Sequence, residues 1–144
     1  MNEQLNSEIR DLALSTGAKL VGVAPGDRFQ HAPKPYQLES FLPGAACAVV
    51  VGVHYPDACV EFCGRDDLQD MGPYGETQVD MNVRLDLLSF RIARFLNDQG
   101  HSALSFSTSH IWRYRPFGAI DRCFTPDIPH RHVAVAAGLG EFGW

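Results

Sequence analysis

The segment from residue 45 to residue 55, AACAVVVGVHY, constrains the fold of this chain more than any other. Its first nine residues are all small or apolar, and they lack the alternation of apolar and polar side chains that marks a strand with one wet face. Such a strand favours a sheet that is covered by helices on both faces. The run is also far shorter than the roughly 20 apolar residues that a membrane-spanning helix needs.

Three segments have helical patterns. Residues 4–16 and 77–99 each carry an apolar stripe at helical spacing, and residues 130–137 predict a last helix. Gly17 and Gly100 follow the first two segments where a left-handed C-cap residue belongs, and a glycine turn follows the third. The stripes of the two longer segments are formed by Leu5, Ile9, Leu12, Ala13, Met81, Leu85, Leu88, Ile92 and Phe95.

The remaining segments predict two further strands and two connections. Residues 19–24 are typical of a short buried strand, and residues 103–108 alternate like a strand. Residues 27–44 contain three prolines and predict an extended connection, while the polar residues 56–76 predict a long loop. The order helix, strand, strand, helix, strand, helix indicates an α/β domain. Because no closing strand follows the last glycine turn, we expect this domain to be incomplete.

Composition narrows the class of protein. The 144 residues are 45% hydrophobic, which suits one compact domain. Acidic side chains outnumber basic ones by 17 to 12, so general nucleic-acid binding is not expected. The polar N-terminus has no apolar signal-peptide core, which predicts a soluble, cytoplasmic protein without membrane association.

The four cysteines do not form a recognisable framework. Disulfides are not expected in a reducing cytosol, and the spacing of Cys59 and Cys63 differs from that of most zinc knuckles. No C-x2-C-x2-C-x3-C-P run occurs, so this stretch of chain is not expected to hold an iron–sulfur cluster by itself.

A stretch rich in arginine and aromatic residues is the first candidate for chemistry. Residues 112–117 read WRYRPF, and Arg122 and Arg131 follow. Arginine forks bind phosphate or carboxylate groups, and they stack on aromatic faces, so a large anionic cofactor would suit this stretch. A solvated loop with a few aromatic anchors explains the composition equally well.

The segment from residue 126 to residue 140, PDIPHRHVAVAAGLG, is the second candidate. His130 and His132 could share a metal ion in an extended chain, but on a helix their rings diverge, so no zinc site with Cys123 is expected. The small residues 134–140 let a backbone approach another surface closely. They fit either a ligand-binding turn or a helix that packs tightly on the sheet and ends in a glycine cap.

Five stretches together resemble one family. They are GAKLVGVAP, LPGAACAVVVGVHYP, GPYGETQVDMNVRLDLLSFRIARFLNDQG, the arginine and aromatic stretch, and HRHVAVAAGLGEFGW. In this order they resemble the N-terminal half of epoxyqueuosine reductases and of their reductive-dehalogenase-like relatives, and they are closer to the dehalogenase-like branch. The resemblance covers nearly the whole chain and implies that residues 1–144 are the N-terminal part of a cobalamin-binding reductase domain.

The resemblance also implies a fold, cofactors and partners. The family fold is a nitroreductase-like sandwich in which helices flank a mixed sheet, and it binds cobalamin without the lower base on cobalt. A ferredoxin-like module with two 4Fe–4S clusters supplies electrons in the family; because residues 1–144 lack this module, we expect the isolated chain to be inactive. The implied partners are a small-molecule or modified-nucleoside substrate and an electron-donor protein.

Individual residues are carried over from the family's motifs. Asp127 is the acid nearest to the family's proton donor, although that aspartate would fall closer to Phe124; the other role of Asp127 is to cap the following helix. Cofactor contacts are implied for Arg113, Tyr114, Arg115, His130, Arg131, His132, Gly138, Leu139 and Gly140.

Two alternative functions stay open. A non-catalytic corrinoid carrier or chaperone would hold cobalamin in the same pocket without cycling the cobalt. A flavin-binding nitroreductase-like protein would instead use the arginines to hold the phosphate of FMN.

Overall fold

The computed structural model describes residues 3–63, 72–108 and 128–143, and these contain both helices and strands. Helices and a small sheet combine in this part of the chain, which confirms the α/β class at this coarse level. The elements are α1 (Glu3–Ser15), β1 (Leu20–Pro25), β2 (Cys47–Gly52), α2 (Asp57–Cys63), α3 (Gly72–Asp98) and α4 (His130–Ala136).

The two strands pair antiparallel to each other. Leu20 lies opposite Gly52, and Pro25 lies opposite Cys47, so the whole of β1 pairs with the whole of β2. Two further backbone hydrogen bonds, from Lys19 N–H to the Gly52 carbonyl and from Gly26 N–H to the Ala46 carbonyl, both at 2.8 Å, extend the pairing beyond the two ends of β1. Within the described ranges the sheet has these two strands, so β2 has a strand neighbour along one edge.

Apolar clusters lie on both faces of this sheet. The first is formed by α1 and α3 and includes the buried Ile9 and Ile92, against which Val49 and Val51 pack. The second packs against Ala48 and Val50 and is built around Ala24, Phe29, Leu38, Ile128 and Val133. Because successive side chains of a strand point to opposite faces, β2 contributes to both clusters in turn. The expected covering on both faces is therefore observed, although every residue of β2 is half-buried rather than fully buried.

The predicted glycine stops are confirmed. Gly17, Gly100 and Gly138 all have a positive φ, between 73° and 106°, and each follows the end of a helix. At the end of α1, Ala18 N–H donates to the Ala13 carbonyl at 2.9 Å and Gly17 N–H donates to Leu14. This is the paired hydrogen-bond pattern of a Schellman cap, which satisfies carbonyls that the helix leaves open.

The predicted long loop over residues 56–76 is wrong in part. Helix α2 occupies Asp57–Cys63, and α3 begins at Gly72 rather than at Thr77. The Pro56 carbonyl accepts the N–H groups of Cys59 and Val60, so the first turn of α2 forms directly after the proline. Proline is well tolerated at the start of a helix, and this explains why its presence did not exclude one.

The predicted extended connection over residues 27–44 is also wrong in part. It contains three short 3-10 turns, Gly26–Phe29, Lys34–Tyr36 and Leu38–Ser40. The fixed φ of proline is compatible with a first helical turn as well as with an extended chain. Burial of Phe29 and Leu38 in the second apolar cluster selects the turns.

The strand predicted for residues 103–108 is not formed. The segment 101–107 is irregular, and side chains of α3 hold it in place instead. Asn97 donates from its amide to the Ala103 carbonyl at 3.0 Å and accepts the Ala103 N–H at 3.3 Å. Because these side chains already satisfy backbone groups, the segment lies beside α3 without a ladder partner. The last predicted helix, 130–137, is confirmed as α4.

Bilayer crossing demands a long and apolar helix. None of the helices among residues 3–63, 72–108 and 128–143 combines these two properties.

Candidate functional site

A cleft of about 960 Å³ runs along β2. Every residue from Cys47 to Val51 lines it, and consecutive residues of a strand point to opposite faces of the sheet. The cleft therefore follows the edge of β2 that β1 leaves open, rather than either face. The other lining residues come mainly from residues 38–46, from α3 and from the segment 101–108, with two from α4; they include Phe41, Leu85, Ser89, Ile92, Leu104, Phe106, His130 and Val133.

Hydrogen bonds to the Asp86 carboxylate hold one side of this cleft in place. Its carboxylate accepts the Thr108 N–H at 2.9 Å, the Thr108 hydroxyl at 3.2 Å and the Ser107 hydroxyl at 3.1 Å. Three hydrogen bonds to one half-buried carboxylate anchor the end of the irregular segment to the middle of α3. The aromatic ring of Phe106 then packs edge-on against Phe41, with centroids 5.1 Å apart.

His130 is the polar side chain of α4 that lines the cleft. Its Nε2 lies 3.0 Å from the Ser107 carbonyl oxygen. A carbonyl oxygen can only accept, so Nε2 carries the proton, and Nδ1 is the acceptor atom of the neutral ring. A ring oriented in this way can receive a hydrogen bond from a bound molecule or pass a proton to it.

His132, by contrast, has a different partner. Its ring packs against Phe142, with centroids 4.7 Å apart and an interplanar angle of 56°. The rings of His130 and His132 therefore lie in different surroundings on one helix. Across the described ranges, no three histidine, cysteine or acidic side chains form a group suited to a metal ion.

The glycine turn after α4 packs against the sheet. A Cβ atom placed on Gly22 of β1 would lie 2.9 Å from the Ala137 Cβ and from two side-chain atoms of Leu139. The close approach that the small residues 134–140 permit is thus an approach to β1, as in the tightly packed helix considered from the sequence. Around Gly138 and Gly140 the structure leaves open space.

The residues that the family resemblance implies for cofactor binding therefore do not all lie at the cleft. Of the six in described positions, His130 lines the cleft. The other five do not line it; they are Arg131, His132, Gly138, Leu139 and Gly140. The remaining candidates, Arg113, Tyr114, Arg115 and Asp127, lie outside the described residues, as does Cys123.

Sequence reasoning missed three residues that shape this region. Nothing in the sequence distinguishes Asp86 and Asn97 from the solvated residues of a long helix. Only their hydrogen bonds to residues 103–108 show their structural role. Arg28 donates from its guanidinium to the Ala136 carbonyl at the end of α4. A cation at a helix C-terminus is stabilising, but the two residues are too far apart in sequence for a local pattern to reveal the pair.

Cys47 is the thiol that lines the cleft. Burial raises the pKa of the Cys47 thiol above its ordinary value, and the positive N-terminus lowers it by a smaller amount. The thiol is therefore protonated at neutral pH, and a protonated thiol is a poor nucleophile and metal ligand. Cys47 contributes to the cleft as a small apolar side chain.

A second polar cluster lies where α2 meets α3. The Tyr55 hydroxyl donates to the Tyr74 carbonyl at 2.9 Å, and the two rings stack with centroids 5.0 Å apart. Desolvation, followed by the nearby Tyr74, raises the pKa of the Tyr55 phenol. The Cys59 sulfur lies 3.1 Å from the Thr77 hydroxyl and 3.2 Å from the Pro73 carbonyl. These contacts join the two helices, and they do not reach the cleft.

Comparison of the chain with protein-family models, with curated proteins and with solved structures finds no match. The family resemblance therefore comes from the sequence alone, and the geometry of the described residues is a separate source of support for a proposed function.

Proposed function

We propose that this chain is the N-terminal, cobalamin-binding part of a reductase related to epoxyqueuosine reductases and reductive dehalogenases. The observation that carries the proposal is the cleft of about 960 Å³ along the open edge of β2. Binding sites for small molecules and cofactors span roughly 300–1,000 Å³, so this cleft is at the upper end of that range. A ligand that uses it fully is large, which favours a corrin over a small metabolite.

The lining agrees with the chemistry of a corrin. A corrin ring has broad apolar faces and polar amide arms at its margin. The cleft offers Val49, Val51 and Leu104 for the faces, and Ser89 and His130 for the amides. When bound, cobalamin supplies a reduced cobalt that acts as a nucleophile or as a one-electron donor. His130, held by the Ser107 carbonyl, would orient a polar arm by accepting a hydrogen bond at Nδ1.

The family resemblance supplies the rest of the proposal. Arg113, Tyr114 and Arg115 would contact the polar margin of the cofactor, and Asp127 would donate the proton. The resemblance also implies that the two described strands belong to a larger, nitroreductase-like mixed sheet flanked by helices. In the family arrangement the 4Fe–4S clusters and the electron donor act from outside residues 1–144, on a small-molecule or modified-nucleoside substrate in the cytoplasm.

A non-catalytic corrinoid carrier is the second candidate. Residues 1–144 contain no run of cysteines suited to a cluster, and a carrier needs none. A carrier would bind cobalamin in the same cleft without reducing it. Redox titration of the bound cobalt in the presence of a chemical reductant and of candidate electron-donor proteins separates the two functions.

Cobalamin binding is tested by titrating the purified chain with hydroxocobalamin and following the absorbance of the corrin. FMN is titrated in parallel, because yellow flavin binding in place of cobalamin would support a flavin protein instead. We expect one cobalamin per chain. Unchanged corrin spectra and no retained cobalamin at saturating concentration would contradict the proposal.

A matched pair of substitutions locates the binding site. Leu104 and Leu20 are 54% and 53% exposed, but only Leu104 lines the cleft. We expect Leu104→Arg to weaken cobalamin binding about tenfold or more by placing a charged side chain in the cleft. Leu20→Arg is the control and should bind as the parent does. Equal affinities for the two variants would place cobalamin elsewhere.

A further inference from the structure

Helix α3 carries two apolar stripes, and only one of them is covered. Leu88 and Ile92 belong to the covered stripe and are each 4% exposed. The second stripe, from Val79 to Phe90, consists of side chains that are between 48% and 56% exposed. It is formed by Val79, Val83, Leu87 and Phe90.

The spacing of this exposed stripe is that of a helix–helix interface. Its residues are four, four and three positions apart, so they form one continuous row along the helix. Apolar residues repeating in this way are typical of the seam between two helices. A contiguous apolar row of this length on a surface marks an interaction site.

Charged residues at the two ends of the stripe indicate which partner fits. Glu76 lies on the same face of α3 near its N-terminal end, and Arg94 lies on it near the C-terminal end. Asp80 and Arg91 flank the stripe on one side, again with the acid towards the N-terminus. Arg94 also lies 3.8 Å from Asp98 of its own helix. The face thus carries two acids at its N-terminal end, is apolar in the middle, and has a net charge of one positive at its C-terminal end, where Arg91 and Arg94 outnumber Asp98. A second copy that runs in the opposite direction presents the complementary order of charge.

We propose that two copies of this chain associate through α3 as an antiparallel, twofold-symmetric pair. With the axis at the level of residue 85, Glu76 of each copy lies opposite Arg94 of the other, and Asp80 lies opposite Arg91. The same register places Val83 opposite Leu87. A parallel pair would bring Glu76 against Glu76 and Arg94 against Arg94, which costs free energy. In the antiparallel pair every contact occurs twice, because the interface is the same patch on both copies.

A groove beside the stripe adds room for the partner. About 530 Å³ in volume, it lies between α3 and the residues that follow α1, and Asp80, Leu87 and Arg91 are among its lining residues. In the antiparallel register, Phe90 of the second copy lies at the level of Asp80, next to this groove. None of the stripe residues lines the cleft along β2, so this interface and cobalamin binding are independent of each other.

Sedimentation equilibrium of the 144-residue chain tests the association. We expect the weight-average mass to rise from 15.9 kDa towards twice that value as concentration increases from about 1 μM to about 1 mM. Leu87→Glu should weaken association at least about tenfold, since it places two carboxylates in the apolar centre of the interface. Leu14→Glu changes another exposed leucine on a helix, outside the stripe, and should associate as the parent does.

A charge exchange tests the register itself. Glu76→Arg alone and Arg94→Glu alone should each associate weakly, because each pairs like charges across the interface. Mixed in equal amounts, the two variants should form a heterodimer with an affinity near that of the parent, because both ion pairs are then restored. The two positions are about 27 Å apart along one helix, so contact within a chain cannot produce this recovery.

A single mass of 15.9 kDa at every concentration would overturn the proposal, even if another protein were found to cover the stripe. Association that persists in Leu87→Glu would place the interface elsewhere. Failure of the mixed variants to recover would exclude the antiparallel register. Far-UV circular dichroism of each variant confirms that the helices are intact.

Discussion

The two apolar stripes of α3 have similar sequence patterns and different surroundings. Leu88 and Ile92 pack against α1 and the sheet, whereas Leu87 and Phe90 are more than half exposed. The covered stripe explains the position of α3 in the fold, because it supplies Leu88 and Ile92 to the buried part of the first apolar cluster. The exposed stripe contributes little to that cluster. A helical pattern of apolar residues thus shows that a face needs a partner, but not whether the partner belongs to the same chain.

The largest expected effect is on the free energy of unfolding, and it should differ between the two stripes of α3. Ile92→Ala removes buried methyl groups from the first cluster and should lower the free energy of unfolding by about 2–5 kcal/mol. Leu87→Ala, measured at a concentration where the chain is monomeric, should change it by less than about 0.5 kcal/mol. Urea unfolding followed by circular dichroism measures both. Similar losses for the two variants would mean that Leu87 is covered within the single chain.

A pair of glycines extends the comparison to the sheet. Gly22→Ala introduces a methyl group 2.9 Å from Ala137 and Leu139, and we expect it to destabilise the chain by about 1–3 kcal/mol. Gly140 has open space around it, so Gly140→Ala is the matched control and should have little effect on unfolding. A neutral Gly22→Ala variant would show that the turn after α4 does not press on β1.

Two aspartates on α3 give the next comparison. Asp86→Ala removes the acceptor of three hydrogen bonds from Ser107 and Thr108, and should lower stability by about 1–2 kcal/mol. Asp80→Ala, at an exposed position, should leave the stability of the monomer nearly unchanged. Amide hydrogen exchange adds a local measurement, since Thr108 N–H should exchange faster only in the Asp86 variant. Unchanged exchange at Thr108 would exclude the anchoring role of Asp86.

The smallest expected effect is a pH dependence at Cys47. Burial raises the pKa of this thiol in the folded chain, so the folded state holds the proton more tightly than the unfolded state does. Its contribution to stability is fully present below the ordinary thiol pKa of about 8.5 and is lost as pH rises through the higher folded value. The fall in unfolding free energy above pH about 8.5 should therefore be smaller in Cys47→Ala than in the parent. Between pH 6 and 7 the thiol is protonated in the folded and the unfolded state, so the free energy of unfolding should change with pH equally in the parent and in Cys47→Ala. Identical slopes for the two proteins above pH about 8.5 would contradict a raised pKa for Cys47.

Much of the fold could be predicted where a local rule applies. Gly17, Gly100 and Gly138 stop their helices because a left-handed residue suits glycine, and the apolar run at β2 places a strand between two apolar clusters. One failure has its cause in distant residues. Residues 103–108 alternate like a strand, yet Asn97 binds both backbone groups of Ala103 and Asp86 accepts the Thr108 N–H. Such competition between distant residues has no signature in the segment itself.

The candidate site could be predicted less well than the fold. His130 was named through the family resemblance, and it lines the cleft beside Ser107. The small residues 134–140 fitted either a ligand-binding turn or tight packing on the sheet, and Ala137 and Leu139 pack on Gly22, because small residues allow a close approach to any surface, whether ligand or strand. Asp86 was not singled out, since an aspartate on a long helix is ordinarily a solvated residue.

The sequence by itself determined the presence of helices α1, α3 and α4, their glycine ends, the apolar strand β2 and the presence of apolar residues that need cover. These features depend on the φ preferences of glycine and on side-chain periodicity, which act over a few residues. Only the tertiary structure decided that the cleft follows the open edge of β2, that Asp86 anchors residues 107 and 108, and that one stripe of α3 stays uncovered. Those outcomes depend on which surfaces meet across the chain, and burial and hydrogen bonding between distant residues set them.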